Sequence, residues 1–149
     1  MWLKRNKIDD FCMSTRFTES ELNNLCYIYV NFAEFHAGVD QFRFGNLIQT
    51  LLNIQNYPIV EELFLVFDTD GDGVVWFEEF IRGLNTMERG DFNEKCYFAF
   101  SIYDVFGRGC LDLITLRHIM RKCYSTPLIS MEKARNLILT KKRWNWEEF

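Results

Sequence analysis

The sequence predicts an all-α protein made of four helix–loop–helix units arranged as two paired lobes. Three observations predict it. Helix-capping residues are followed by apolar residues at three- and four-residue spacing, which marks one buried face of a helix. One acidic twelve-residue loop lies between two such segments, and a skeleton of apolar positions returns along the chain. Strand signals are short and isolated.

The helices can be justified in order. Thr18-Glu19-Ser20-Glu21 reads as a capping box, with Thr18 capping the helix and Glu21 reaching back; Phe17 and Leu22 flank it as a hydrophobic staple would. This helix runs through Leu22, Leu25, Cys26, Tyr29 and Ala33. Pro58 sits where a helix can begin, because its missing N–H would be unpaired there anyway, and Ile59, Leu63, Phe64 and Phe67 follow. Asp91-Phe92-Asn93-Glu94 offers another N-cap with Glu at the third helical position, followed by Cys96, Ala99, Phe100 and Tyr103. Leu116, Ile119, Met120 and Cys123 mark a helix that Ser125-Thr126-Pro127 should stop. Ala134, Leu137, Ile138 and Lys141 to Arg143 read as a last helix whose cationic end suits its dipole.

The chemistry sits between the helices led by Pro58 and followed by Phe80. Asp68-Thr69-Asp70-Gly71-Asp72-Gly73-Val74-Val75-Trp76-Phe77-Glu78-Glu79 has the pattern of an EF-hand calcium loop. A hard cation of this size takes six to eight oxygens, and alternate residues of a tight loop can converge on one point. Asp68, Asp70 and Asp72 supply loop positions 1, 3 and 5, Gly73 makes the turn at 6, and the Val74 carbonyl serves at 7. Glu79 at position 12 can bind through both oxygens, which favours calcium over octahedral magnesium. Position 9 is Trp76, whose indole carries no oxygen, so a water must fill that vertex and the affinity should fall below what four carboxylates would give. Without a cation those four carboxylates repel one another.

In this loop Val75, Phe77 and Phe80 stand at positions 8, 10 and 13, and the same skeleton is read at Phe42, Phe44 and Leu47, at Leu111, Leu113 and Leu116, and at Trp144, Trp146 and Phe149. The position-8 residues are then 33, 36 and 33 residues apart, near the spacing of tandem hands. The chain therefore divides into an N-terminal pair over residues 1–88 and a C-terminal pair over 89–149. Only the second loop keeps its ligands, so one calcium ion is expected. The first loop, roughly residues 35–46, offers Asp40 alone; the third starts with Asp104 but has Phe106, Arg108 and Thr115 at positions 3, 5 and 12. The fourth loop is shortened to Lys141-Lys142-Arg143, three cations that repel a metal, and its exit helix ends at Phe149.

Composition closes off other functions. The chain of 149 residues is 48% apolar and 17% aromatic, enough to build a core and to argue against disorder. Its 21 acidic against 17 basic residues, net −4, do not suit a binder of nucleic-acid phosphates. Five cysteines with no CxxC spacing, and His36 and His118 far from any of the usual zinc-ligand spacings, point to core thiols in a reducing, cytoplasmic setting. No run is long enough to span a membrane, the start lacks an apolar signal region, and Trp2 stands where N-myristoylation needs glycine. No nucleophile–base pair or phosphate-cradling glycine loop is visible, so the expectation is a protein that is not an enzyme.

This organisation resembles the four-hand calcium sensors related to calcineurin B and the neuronal calcium sensors. Phe98-Ala99-Phe100-Ser101-Ile102-Tyr103-Asp104 is similar to the entry of their third hand. Within the group, Gly38-Val39-Asp40, Asn46-Leu47, Phe67-Asp68, Gly83-Leu84, Arg89-Gly90 and Glu94-Lys95 resemble the calaxin type, the calcium sensors of ciliary outer-arm dynein. The resemblance implies a calcium-responsive regulatory or adaptor subunit with dynein, docking-complex or microtubule-associated partners in the axoneme of a cilium or flagellum. A calcineurin-B-like regulator of a phosphatase and a static structural protein remain the alternatives. Such sensors respond when calcium draws in the last loop glutamate and an apolar groove opens for a partner helix. The groove residues expected here are Leu25, Tyr29, Leu47, Leu51, Phe64, Phe80, Ile81 and Leu84. The family binds calcium in more than one hand, whereas only residues 68–79 keep the pattern here, so its C-terminal calcium switch does not carry over.

Overall fold

The computed structural model describes residues 5–33, 38–54, 57–104, 107–112, 114–115 and 143–145. Within them the fold is all-α and of the EF-hand type, with six helices and two very short antiparallel sheets. The helices are α1 (Arg5–Ser14), α2 (Glu19–Val30), α3 (Gln41–Leu52), α4 (Tyr57–Phe67), α5 (Phe77–Arg89) and α6 (Phe92–Tyr103). Strands β1 (Val39–Asp40) and β2 (Val74–Val75) form one sheet; β3 (Cys110–Asp112) and β4 (Arg143–Asn145) form the other.

The capping residues start helices where the sequence places them. The Glu21 amide donates to Thr18 Oγ1 at 3.4 Å while the Glu21 carboxylate accepts from the Thr18 amide at 2.8 Å. Asp91 and Glu94 repeat the exchange at 2.7 and 2.8 Å, so two otherwise unpaired donors are satisfied at each helix start. Phe17 and Leu22 are both buried, as a staple requires. Helix α2 stops at Val30, short of Ala33: the Asn31 amide reaches back to the Ile28 and Tyr29 carbonyls and tightens the last turn. Helix α1 was not among the expected elements, although Ile8, Phe11 and Cys12 carry the helical spacing; Ile8 and Phe11 are buried in the core.

The sheet pairing corrects the repeat. Val39, not Phe42, stands opposite Val75, and Asp40 stands opposite Val74. Position 8 of the first hand is therefore Val39, and the step from Val39 to Val75 equals the 36 residues from Val75 to Leu111. Position 13 is Phe44, which is wholly buried, while Phe42 is 75% exposed. In the second sheet Leu111 pairs with Trp144, as the skeleton requires. Arg143 lies in β4 rather than at a helix end, because the strand there pairs its backbone with Asp112. The helices expected over 116–123 and 134–142 lie outside the described residues, as do His36, Phe106, Leu113, His118, Cys123, Lys141, Lys142, Trp146 and Phe149.

Aromatic side chains fill the core. Phe67 lies 5.1 Å from Phe44, 6.4 Å from Phe80 and 5.9 Å from Phe98 between ring centres, the last contact edge-on. Through Phe98, α6 packs against α4 and α5 and joins the same core as the first two hands. Gly83 is required by this packing: a Cβ there would come within 2.6 Å of the Phe67 ring.

Candidate metal centre

Helix α4 ends at Phe67 and delivers Asp68 to the mouth of the loop, where only 8% of it is exposed. Gly71 (φ +71°) and Gly73 (φ +86°) take left-handed conformations that side chains resist, and so turn the loop back on itself. The loop amides then fold onto its own carboxylates. Asp68 Oδ1 accepts from the Asp72 amide at 3.1 Å and Asp68 Oδ2 from the Gly73 amide at 3.0 Å. Asp70 Oδ1 also accepts from the Asp72 amide, at 3.1 Å. Because the donors come from the backbone, the carboxylates are oriented by the chain itself.

Glu79, in the first turn of α5, is held from both sides. Its Oε1 accepts from the Thr69 amide at 2.9 Å and the Thr69 hydroxyl at 2.7 Å, and its Oε2 from the Trp76 amide at 2.9 Å. The result is convergence: one oxygen each from Asp68, Asp70 and Glu79 lie within 4.8 Å of one another. Calcium–oxygen distances of about 2.3–2.6 Å put ligands on opposite sides of one ion at about that separation, and an all-oxygen, anionic donor set suits a hard divalent cation. The residues present therefore fit calcium.

Asp72 and Val74 stand differently. Asp72 is not in the converging group; its Oδ1 accepts from the Val74 amide at 2.9 Å and its Oδ2 from the Trp76 indole N–H at 2.8 Å. Val74 lies in β2 opposite Asp40. Trp76 thus contributes a donor to Asp72, a role that the absence of an indole oxygen does not reveal, although indole is known to be donor-only. Thr69, which clamps Glu79, was also missed by sequence reasoning; a hydroxyl beside Asp68 is its one sequence signal. Glu78 faces outward, with Lys7 at 3.9 Å and Arg82 at 4.0 Å.

The loop is tied to the core by Tyr29, whose buried hydroxyl donates to the Val75 carbonyl at 2.7 Å. Burial, reinforced by the nearby Glu79 carboxylate, raises the Tyr29 pKa, so the phenol stays protonated and remains a donor. In the first hand Asp40 caps α3, accepting from the Arg43 amide at 2.8 Å and pairing with its guanidinium at 3.3 Å. The residues expected to line a groove are core here: Tyr29, Leu47, Phe64, Phe80, Ile81 and Leu84 are buried, and Leu25 and Leu51 are half-buried. The groove is expected to open only when calcium draws in Glu79, and in this structure the same apolar faces pack against one another.

No family model matches the chain. It is similar to curated EF-hand calcium-binding proteins. It is 30% identical over 123 residues to the calcium-binding protein NCSA of Dictyostelium discoideum, covering 82% of this chain and 64% of that protein. It is 53% identical over 53 residues to calcineurin B type 2 of Bos taurus, covering 35% of this chain and 31% of that protein. It is 30% identical over 85 residues to calaxin of Homo sapiens, covering 57% of this chain and 40% of that protein. The chain thus spans less than two thirds of the length of each of these three relatives. Among the described residues, no helix is long and apolar enough to cross a membrane.

Proposed function

We propose that this chain is a calcium-responsive regulatory or adaptor protein, not an enzyme, that holds one calcium ion in its second loop. The observation that carries the proposal is the convergence of Asp68, Asp70 and Glu79 oxygens at the end of α4 and the start of α5. Asp72 and the Val74 carbonyl complete the proposed ligand set, with Asp72 turning one carboxylate oxygen inward. Bound calcium supplies positive charge that offsets the repulsion among these acids. The chain's own part is to pre-arrange them through the Thr69, Trp76, Asp72 and Gly73 donors and to couple Glu79 to α5. A shift of Glu79 moves α5, and with it Phe80, Ile81 and Leu84, away from the core they share with Tyr29 and Leu47; this is how the buried apolar face would become a partner groove. The pairs over residues 1–88 and 89–149 are proposed as the two working lobes.

The finer reading is of the calaxin type: action on an outer-arm dynein or docking assembly in the axoneme, in the cytoplasmic compartment of a cilium or flagellum. The likeness to calaxin supports it. The 53% identity to calcineurin B type 2 favours a second reading, a regulatory protein clasping a helix of a phosphatase. Affinity capture with the full chain, in calcium and in chelator, separates them: dynein or docking components support the first, a phosphatase catalytic chain supports the second. Calorimetric titration tests the common premise. One equivalent of calcium bound, with a change in Trp76 fluorescence and in dye-accessible apolar surface, is expected; binding without either change would make the site a static support.

A further inference from the structure

The described residues of the third loop repeat the turns of the second loop without its acidic side chains at positions 5 and 12. Asp104 Oδ1 accepts from the Arg108 amide at 3.0 Å and Oδ2 from the Gly109 amide at 2.6 Å, the same two bonds that Asp68 makes with Asp72 and Gly73. Gly107 (φ +58°) and Gly109 (φ +64°) repeat the left-handed turns of Gly71 and Gly73. Arg108 stands where Asp72 stands in the second loop, and its guanidinium reaches across the loop. Nη2 lies 2.9 Å from Asp112 Oδ2 and donates to Thr115 Oγ1 at 3.0 Å. Asp112 in turn accepts from the Thr115 amide at 2.9 Å and hydroxyl at 3.0 Å. In loop numbering the guanidinium at position 5 therefore joins positions 9 and 12, two of the points that a calcium ion joins.

We propose that the Arg108 guanidinium takes the place of the cation in the third loop, holding Asp112 and Thr115 together so that the loop keeps its folded form with or without calcium. A tethered positive charge supplies the attraction a metal would otherwise supply, and its planar donors match the carboxylate and hydroxyl it bridges. Thr115 is fully buried, which excludes water from one end of the link. The loop is joined through β3 to β4 and follows α6, which packs against α4 and α5, so the device fixes a calcium-insensitive support beside the second hand. This inference is independent of whether the second loop responds to calcium.

Amide hydrogen exchange on the full chain tests it. In the wild type, protection at Gly109 and Thr115 should be equal in calcium and in chelator, and Arg108→Gln should speed exchange there by roughly threefold or more, as loss of a partly exposed ionic network predicts. The Gly73 amide in calcium should be unchanged by the variant. Exchange at Gly109 and Thr115 that depends on calcium in the wild type, or is unaffected by Arg108→Gln, overturns the proposal. If the variant does not fold, NMR of the wild-type Arg108 side chain decides: hindered guanidinium rotation in chelator supports the link, and free rotation overturns it.

Discussion

The hydroxyl of Tyr29 donates a 2.7 Å hydrogen bond to the carbonyl of Val75, across 46 positions of sequence, and so fastens the short strand of the second loop to the middle of the core. Val75 also lies opposite Val39, which makes this short segment the meeting point of both loops of the N-terminal pair. Tyr29→Phe keeps the ring packed against Phe77 and Phe80 but leaves the carbonyl without that donor. Urea denaturation should show a loss of about 1–2 kcal/mol.

Glu79→Gln should abolish the calcium response. The amide retains one oxygen for the donors of Thr69 or Trp76 but loses the negative charge and the two-oxygen grip on the ion. Calorimetry and Trp76 fluorescence in the same titration read both binding and response; a normal transition in the variant would remove Glu79 from the ligand set.

Stability should fall in acid through Glu21. The Arg89 guanidinium, and then the Thr18 amide, hold its carboxyl at about 2, below the ordinary 4.5. A depressed folded-state pKa stabilises above the unfolded value and is lost as pH falls through the folded one, so the window runs from about 4.5 down to about 2. The urea midpoint of the wild type should exceed that of Glu21→Gln at neutral pH, and the gap should close towards pH ~2. Glu94, lowered by the Asp91 amide and then by Arg16, acts in the same direction.

Gly83→Ala should destabilise the protein although it lies inside α5, where alanine is ordinarily favoured by about 1 kcal/mol. The added carbon would sit 2.6 Å from a Phe67 ring that Phe44, Phe80 and Phe98 hold in place. Overpacking of this kind costs about 1–3 kcal/mol, and a lower thermal midpoint than wild type is the expected reading.

Local chemistry was legible wherever it is complete within a few residues. Thr18 with Glu21, and Asp91 with Glu94, announce helix starts because cap and partner lie within one turn. The second loop was legible because its acidic residues alternate within twelve positions around two glycine turns. The first hand was read three residues late, at Phe42 instead of Val39. A helix repeats every 3.6 residues, so moving an apolar pattern by three leaves most of its positions apolar and the error costs nothing in the sequence.

The sequence by itself determined the all-α class, the helix starts and the acidic loop, since each follows from contacts between near neighbours. Tertiary structure decided the rest. Pairing with Val75 selected Val39, contact with Phe67 made Gly83 obligatory, and the Trp76 indole turned towards Asp72. Packing of helix against helix buried the faces expected to form a groove, and the reach of Arg108 closed the third loop on Asp112 and Thr115. Most of these choices rest on which segments meet in space, and residue type and spacing leave that open, because an apolar face or a charged side chain accepts many partners until the fold presents one.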